Sequence, residues 1–342
     1  MTNFNIGFTR EKRNEEIIYL DLKGKIIEDA KILDRLKKLV IPPAWQNVWI
    51  CKNKNGHIQA TGLDEKGRKQ YIYHKLWNEV RNETKFSKML LFGTHLPKIR
   101  KQIHKDLKRK MLCKEKVVAL AVQIIDKIYI RVGGTVYEQL YGSYGLTTLK
   151  DKHVRISGSI AIFKFRGKKG VQREIKLKNS GLAKLLKEVQ DIPGQSLFQY
   201  YDLKGKRKTI YSNDINAYLK TYTQQCFTAK DFRTWAGTVM AIEFLSAKQL
   251  YKTKNECNKN IIGMLDYVAS ELGNTRTVCK NYYVYPQIIK EYENGNLYKY
   301  FKADMLKKTP SKHDTAFHTS HEKMLIKILK ELSNDIRLHI AA

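Results

Sequence analysis

The chain has 342 residues, and its 64 lysines and arginines outnumber 33 aspartates and glutamates, giving a formal net charge of +31. Such an excess repels itself in the folded state, and a polyanionic partner is the usual reason for it. The basic residues recur along the whole length, interleaved with 20 tyrosines and 12 phenylalanines. This composition favours nucleic acid, although a basic ribosome-associated protein is compatible with charge alone.

Hydropathy and cysteine content exclude several classes of protein. No apolar run reaches the roughly 18 residues of a membrane helix, and the first residues lack the pattern of a secretory signal. The five cysteines are scattered without a CxxC pair, which predicts neither a disulfide framework nor a zinc site. We therefore expect a reduced, cytoplasmic protein that does not bind a membrane.

The first ninety residues have mixed α and β patterns. Short strand-like runs occupy residues 17–22 and 48–51, a KNG turn at 54–56 favours a hairpin, and residues 27–39 have a helical pattern. The proline pair at 42–43 separates that helix from the next strand. We expect a small β-rich domain over residues 1–91 and a larger, mainly α-helical domain over 92–342.

Helical periodicity dominates from about residue 95, with one β-like insert. Val117, Ala121, Ile124 and Ile128 are three or four residues apart, as on one face of a helix. Residues 160–177 alternate around a GKKG tip at 167–170, which predicts a hairpin with its glycines at positive φ. Further helices are expected after a Thr228 cap, over 261–272 up to a stop at Gly273, and over 320–332.

The motifs of nucleotide- and metal-dependent chemistry are missing from the sequence. It contains no GxxxxGK[ST] loop, no HExxH motif and no carboxylate cluster suited to two metal ions. We therefore predict neither a cofactor nor a metal. An enzyme acting on a phosphodiester would then need cationic side chains for the charge of the transition state, a proton donor and a hydroxyl nucleophile.

Four residues in order could supply this chemistry. Arg131 precedes two glycines after a buried helix, Lys168 lies at the hairpin tip, and Arg233 lies in the first turn of a helix. Tyr283 is one of twenty tyrosines. Each has an ordinary alternative, such as a solvated arginine at a helix end or a solubilising lysine in a turn. Only the ordered set points to catalysis.

The motifs that surround these residues resemble those of the small type IB DNA topoisomerases of poxviruses and bacteria. The matching segments run over nearly the whole chain: IPPAW at 41–45, VWIC at 48–51, GRKQYIYH at 67–74, IRVG at 130–133, GLTTLK at 145–150, FRGK at 165–168, KDFRTW at 230–235, LGNT at 272–275 and CKNYYVYP at 279–286. The resemblance implies a β-rich N-terminal domain and a mainly α-helical catalytic domain with a β-hairpin, which form a clamp around the duplex.

The resemblance also implies the role of each catalytic residue. Tyr283, nine residues after Asn274, would be the nucleophile, with Tyr282 and Tyr285 as rivals. Arg131 and Arg233 would bind the non-bridging phosphate oxygens. Lys168, which directly follows the glycine, would protonate the leaving 5′ oxygen in preference to its neighbour Lys169.

Two positions depart from the poxvirus pattern. Asn274 stands where those enzymes have a histidine, and it can donate a hydrogen bond but cannot carry charge. The bacterial members resemble this chain in having asparagine there, which favours the bacterial branch. Gly134 replaces a lysine, whereas Tyr137 still stands where the family has a tyrosine near the scissile phosphate.

The family likeness further implies how DNA is bound and what is done to it. The expected DNA-binding residues are Arg68, Lys69, Gln70, Tyr71, Tyr73, Tyr137 and Lys230. A strand face packed on the core is the alternative for the two tyrosines at 71 and 73. The expected enzyme is a nucleoid-associated monomer that relaxes supercoiled double-stranded DNA through a 3′-phosphotyrosyl intermediate, without ATP or metal. A tyrosine recombinase and a non-catalytic basic nucleic-acid-binding protein remain as alternatives.

Overall fold

A computed structural model of the protein describes residues 6–13, 16–248, 250–305 and 318–341. The chain divides into two compact units, Met1–Lys85 and Phe86–Ala342. The boundary expected after residue 91 falls within a long helix, α2 (Lys75–Leu107), which begins in the first unit. The assignment of domains 1–91 and 92–342 therefore stays a prediction.

The first unit is a five-stranded antiparallel sheet with one helix. Its elements are β1 (Gly7–Arg13), β2 (Glu16–Leu20), α1 (Ala30–Lys38), β3 (Gln46–Cys51), β4 (Ile58–Leu63) and β5 (Lys69–Tyr73). The strand order is β2-β1-β3-β4-β5, so β5 lies at an edge. The two strands, the helix and the hairpin that the sequence predicted in this region are confirmed.

Local patterning explains how this sheet buries one face. Asp29 begins α1, because its carboxylate accepts the amide hydrogens of Lys31 and Ile32 at 2.8 and 3.1 Å. Alternate residues Val48 and Ile50 of β3 are buried in the core of this unit, as the period of two requires.

The second unit is mainly helical. After α2 come α3 (Lys114–Ile128), α4 (Thr135–Tyr141), β6 (Val154–Ser157), β7 (Ile160–Arg166), β8 (Gln172–Lys178), α5 (Ser180–Gln190), β9 (Gln199–Tyr201), β10 (Arg207–Thr209), α6 (Ser212–Thr223), α7 (Ala229–Ser246), α8 (Lys254–Leu272), α9 (Arg276–Tyr282), α10 (Pro286–Glu293), α11 (Tyr298–Met305) and α12 (Ser320–Ala341). Helix α3 is largely buried and packs against α5, α6, α7 and β8. The β-rich and mainly helical parts confirm the predicted fold class.

Most predicted elements of the second unit are confirmed, with two differences. Helix α2 begins at Lys75, well before the helical pattern recognised from residue 95. At the hairpin tip only one of the two glycines has positive φ: Gly170 has φ +79° and Lys169 has φ +63°, whereas Gly167 has φ −88°. The expectation that both glycines would take the left-handed conformation is therefore wrong.

The closing helix α12 is joined to the core by a buried ionic network. The carboxylate of Glu322 accepts hydrogen bonds from both terminal nitrogens of Arg100, at 2.8 and 2.9 Å, and from Nε1 of Trp235, at 2.9 Å. Arg100 also pairs with Asp126. Sequence patterning assigned no role to this tail, and the structure shows that α12 packs against α7. Within the described residues, no helix combines the length and apolar character needed to cross a membrane.

Candidate active site

The centre of the candidate site is the corner after α8, formed by Gly273 and Asn274. Gly273 closes the helix in the left-handed conformation, with φ +59°, as the sequence predicted. The backbone N–H of Asn274 then donates to the carbonyl of Ala269 at 3.0 Å. This reversal fixes where the Asn274 side chain begins.

Arg131 reaches this corner from the end of α3. Its Nη2 donates to the carbonyl oxygen of Gly273 at 3.0 Å and to Oδ1 of Asn274. The GLTTLK segment holds the Arg131 backbone, because the amide of Leu146 donates to the Arg131 carbonyl at 2.8 Å. A Cβ on Gly145 would lie 2.6 Å from that carbonyl, so glycine is required for the close approach.

Arg233 reaches the same corner from α7. The helix begins at Ala229, so Arg233 lies in its second turn and the prediction of the first turn is wrong. The side chain is 4% exposed, and its terminal nitrogens donate to the carbonyls of Tyr129 and, at 2.8 Å, of Leu272. These bonds explain why a buried guanidinium is tolerated within the helical core.

Tyr283 lies directly against Arg233. The ring is 9% exposed, and Cζ of Arg233 is 5.1 Å from its centroid. Gly237 of α7 makes room for it, because a Cβ there would lie 2.9 Å from the Tyr283 carbonyl. Burial raises the pKa of Tyr283, but Arg233, Arg131 and Lys230 together outweigh it and lower the pKa below the ordinary value of 10.0. The phenol is therefore easier to deprotonate than a free tyrosine.

The two rival tyrosines have different surroundings. Tyr282 is 43% exposed at the end of α9. Tyr285 stacks on Phe86 with ring centroids 4.9 Å apart, and its amide donates to Oγ1 of Thr238. Tyr283 is the tyrosine whose ring lies against Arg233 and whose pKa that arginine lowers.

Lys168 is exposed at the tip of the β7–β8 hairpin. The turn is closed by the amide of Gly167, which donates to the Val171 carbonyl at 2.7 Å. Loss of hydration lowers the pKa of Lys168, and repulsion from Arg131, its largest electrostatic partner, lowers it further. The hairpin tip therefore lies close enough to Arg131 for the two charges to interact. Lys168 loses its proton more readily than an ordinary lysine does.

Two buried donors at this corner have no acceptor among the described residues. They are Nε of Arg233 and Nδ2 of Asn274. An unsatisfied buried donor costs about 1–3 kcal/mol, so native proteins rarely leave one without a purpose. Together with the cations, these donors make the corner suited to the oxygens of an anion such as phosphate.

Sequence reasoning missed a third arginine at this place. Arg173 of β8 packs its guanidinium on Gly273: a Cβ there would lie 2.6 Å from Nη2 and closer still to Nη1. The available signal was the pattern Val171, Arg173, Ile175, Leu177, in which an arginine occupies a strand position otherwise filled by apolar residues.

The predicted DNA-binding residues of β5 divide into two groups. Arg68 and Gln70 both bond the carboxylate of Asp64, with Arg68 Nη2 at 2.6 Å and Gln70 Nε2 at 2.9 Å. Tyr71 is 45% exposed and stacks on Tyr73 with centroids 6.0 Å apart.

The core-facing alternative fails for Tyr71. Ile72, between the two tyrosines, is the residue of β5 that packs on the core of the first unit. Lys69 lies over the exposed Tyr71 ring, 5.9 Å from its centroid. The exposed face of β5 thus presents an aromatic and a basic side chain together.

The remaining predicted contacts lie in the second unit. Tyr137 is 63% exposed on α4, beside Tyr141. Within the part of the chain that the structure describes, its side chain forms no hydrogen bond with Arg131 or Arg233. Lys230 is exposed at the start of α7 and is close enough to lower the pKa of Tyr283. Among the described residues, no group of three His, Cys, Asp or Glu side chains is placed to hold a metal ion.

Comparison with known proteins gives the family. Residues 74–312 match the catalytic core of eukaryotic DNA topoisomerase I, and residues 16–64 match the N-terminal domain of bacterial DNA topoisomerase IB. The DNA topoisomerase 1B of Acanthamoeba polyphaga mimivirus is 33% identical over 296 residues, which cover 84% of this chain and 88% of that protein. The DNA topoisomerase 1B of vaccinia virus (strain Copenhagen) is 23% identical, covering 80% of this chain and 82% of its own length. The chain therefore belongs to the type IB DNA topoisomerases, a family of isomerases, and its N-terminal domain is of the bacterial type.

Proposed function

We propose that the protein relaxes supercoiled double-stranded DNA by cutting one strand through Tyr283, letting it rotate, and resealing it without ATP or metal. The observation that supports this most is the placement of the Tyr283 ring against Arg233, at a corner that Arg131 also reaches. The relatives are named as DNA topoisomerases, which disfavours the tyrosine recombinase and the non-catalytic binding protein.

In the cleavage step, one bond between phosphorus and oxygen forms and another breaks. The Tyr283 oxygen bonds to phosphorus as its proton leaves to solvent, and the bond from phosphorus to the 5′ oxygen breaks. Lys168 donates a proton to that oxygen, which departs as a hydroxyl. The 3′ phosphate stays on the tyrosine, and the 5′ hydroxyl later attacks it to reverse the reaction.

The cationic corner supplies the charge that this step requires. The pentacoordinate phosphorus carries two negative charges, and fixed donors stabilise them most where water is excluded. Arg131 and Arg233 provide the guanidinium groups, and Nδ2 of Asn274 and Nε of Arg233 are the donors without a partner in the described structure. We therefore assign Asn274 the hydrogen bond that a histidine makes in the poxvirus pattern. This cation set is our reason for proposing that no metal is needed.

Energy conservation underlies the independence from ATP. The phosphotyrosyl ester retains the free energy of the phosphodiester, so resealing needs no other source. Torsion in the DNA drives the rotation.

DNA binding involves both units in this proposal. On β5, Lys69 is placed for phosphates and Tyr71 and Tyr73 for bases and sugars. Arg68 and Gln70 retain their proposed contacts, although Asp64 already engages both. Tyr137 and Lys230 are the proposed contacts of the second unit. Action as a monomer and association with the nucleoid belong to the same proposal.

Plasmid relaxation tests this function. Negatively supercoiled DNA is incubated in EDTA without ATP with the wild type, with Tyr283→Phe, and with Tyr282→Phe as the matched control. Phenylalanine keeps the ring and removes only the attacking oxygen. We expect the wild type and the control to relax the plasmid and Tyr283→Phe to bind it without relaxation. Relaxation by Tyr283→Phe would refute the assignment of the nucleophile, and an inactive wild type that binds DNA would favour the non-catalytic alternative.

A further inference from the structure

Arg173 lies on the core-facing side of the β7–β8 hairpin, which carries Lys168 at its tip. It pairs with Phe165 across β7 and β8, and directly opposed residues of an antiparallel pair share a face. Phe165 is buried, so the aliphatic part of Arg173 begins against the core. A Cβ on Gly167 would lie 3.1 Å from Cγ of Arg173, which shows that the stem packs beside the turn that carries Lys168.

Three guanidinium groups meet the backbone of two consecutive residues, Leu272 and Gly273, at the end of α8. Arg233 bonds the carbonyl of Leu272, Arg131 bonds the carbonyl of Gly273, and Arg173 covers the Cα of Gly273. Like charges gathered in a partly buried place repel one another strongly. Loss of hydration lowers the pKa of Arg173, and the charge of Arg233 lowers it further. Such a cluster is stabilised when an anion binds.

The donors of Arg173 are not committed to the protein. Arg131 and Arg233 use part of their donors on carbonyl oxygens. The guanidinium of Arg173 forms no hydrogen bond or ion pair with the residues that the structure describes. A planar fork of five N–H groups with this freedom suits bidentate binding of phosphate.

We propose that Arg173 binds a phosphate of the cleaved DNA strand, as a third guanidinium beside Arg131 and Arg233. This inference rests on the proposed function. It makes Arg173 a contact to the substrate, distinct from a residue that only supports the corner at Gly273. A purely supporting role would couple loss of activity to loss of stability and would not depend on any one phosphate.

Single-turnover strand cleavage measures the effect of removing the guanidinium. The variants are Arg173→Gln and Arg173→Lys, with Lys178→Gln as the control because it removes a charge from an exposed position of the same strand. We expect Arg173→Gln to lower the cleavage rate by at least about tenfold, as for loss of one charged hydrogen-bond partner. Arg173→Lys should restore part of the rate, since it keeps the charge without the fork. Lys178→Gln should cleave as the wild type does.

Methylphosphonate substitution of single phosphates identifies the contact. Replacing one phosphate oxygen by methyl removes its charge. If Arg173 binds that phosphate, the same substitution slows the wild type but adds little to the defect of Arg173→Gln. A position showing this non-additivity supports the proposal and identifies the phosphate as the scissile one or its neighbour. A normal rate for Arg173→Gln, or an equal defect on every substituted substrate, overturns it. Scanning the wild type alone requires no mutant to fold, and an inactive wild type refutes the proposed function instead.

Discussion

Gly273→Ala tests whether the corner after α8 positions the reacting groups. The glycine has φ +59°, and its Cα faces the guanidinium of Arg173. Gly158, in the turn between β6 and β7, has a similar φ of +54°, but a Cβ there would meet no atom within 4 Å. The pair of alanine variants therefore separates backbone strain from the contact with Arg173.

The two variants differ in the effects expected of them. Alanine in the left-handed region costs about 1–2 kcal/mol, so both variants should lose that much free energy of unfolding. Only Gly273→Ala also displaces Arg173, because the new Cβ would lie 2.6 Å from Nη2 and a normal contact is 3.4 Å or more. A displacement of about 1 Å near the reacting groups can slow catalysis by about 100-fold, which is about 2.7 kcal/mol in the barrier.

Single-turnover cleavage and thermal unfolding are measured on both variants. We expect similar losses of stability from the strain, because the flexible end of the Arg173 side chain can move away from the new Cβ, and slow cleavage in Gly273→Ala alone. Cleavage by Gly273→Ala at the rate of Gly158→Ala would refute the reasoning, since catalysis would then tolerate displacement of Arg173.

Further predictions concern the hairpin tip and the tail. Lys168→Ala should cleave about 100- to 10,000-fold more slowly on ordinary DNA and recover on a substrate with a 5′ sulfur leaving group, which needs no proton donor; failure to recover would contradict the role of general acid. Because the pKa of Lys168 is lowered, wild-type cleavage should decline with rising pH before the ordinary lysine value of 10.5, in a pH–rate profile over the alkaline range; a profile flat to that value would count against it. Lys169→Gly should cleave normally in the same assay, because glycine suits φ +63° and the proton donor is unchanged. Glu322→Gln should lower the free energy of unfolding by about 1.5–3 kcal/mol in urea titrations, because it removes one of the two buried carboxylates that bond Arg100 and leaves Asp126 as the other. Burial raises the pKa of Glu322, yet the bonds from Arg100 outweigh this effect and lower the pKa. The stability that Glu322 contributes is therefore present above pH 4.5 and is lost as pH falls below it. If stability falls with decreasing pH in the variant as it does in the wild type, this reasoning is refuted.

Sequence patterning predicted the elements whose signals are local. The alternation around residues 48–51, the helix of Val117 to Ile128 and the stop at Gly273 each depend on neighbours in the chain. The roles of Arg131, Lys168, Arg233 and Tyr283 came from the family resemblance, and the structure brings Arg131, Arg233 and Tyr283 together with Asn274. Their roles remain proposals.

Features that depend on distant contacts could not be predicted. Arg173 was counted as one strand residue, because nothing in its own neighbourhood indicates that it meets Gly273, a hundred residues later. The packing of the tail could not be predicted for the same reason, since Glu322 bonds Arg100 and Trp235, which are distant in the chain. The left-handed Lys169 shows a third limit: propensity favours glycine at positive φ, but the tight turn placed a lysine there.

Identifying the covalent intermediate tests the central claim most directly. The wild type is reacted with a duplex, denatured to trap the complex, digested with protease and analysed by mass spectrometry. The account predicts DNA attached through its 3′ phosphate to the peptide containing Tyr283, with a free 5′ hydroxyl on the other fragment. An adduct on Tyr282 or Tyr285, or a link through a 5′ phosphate, would contradict it.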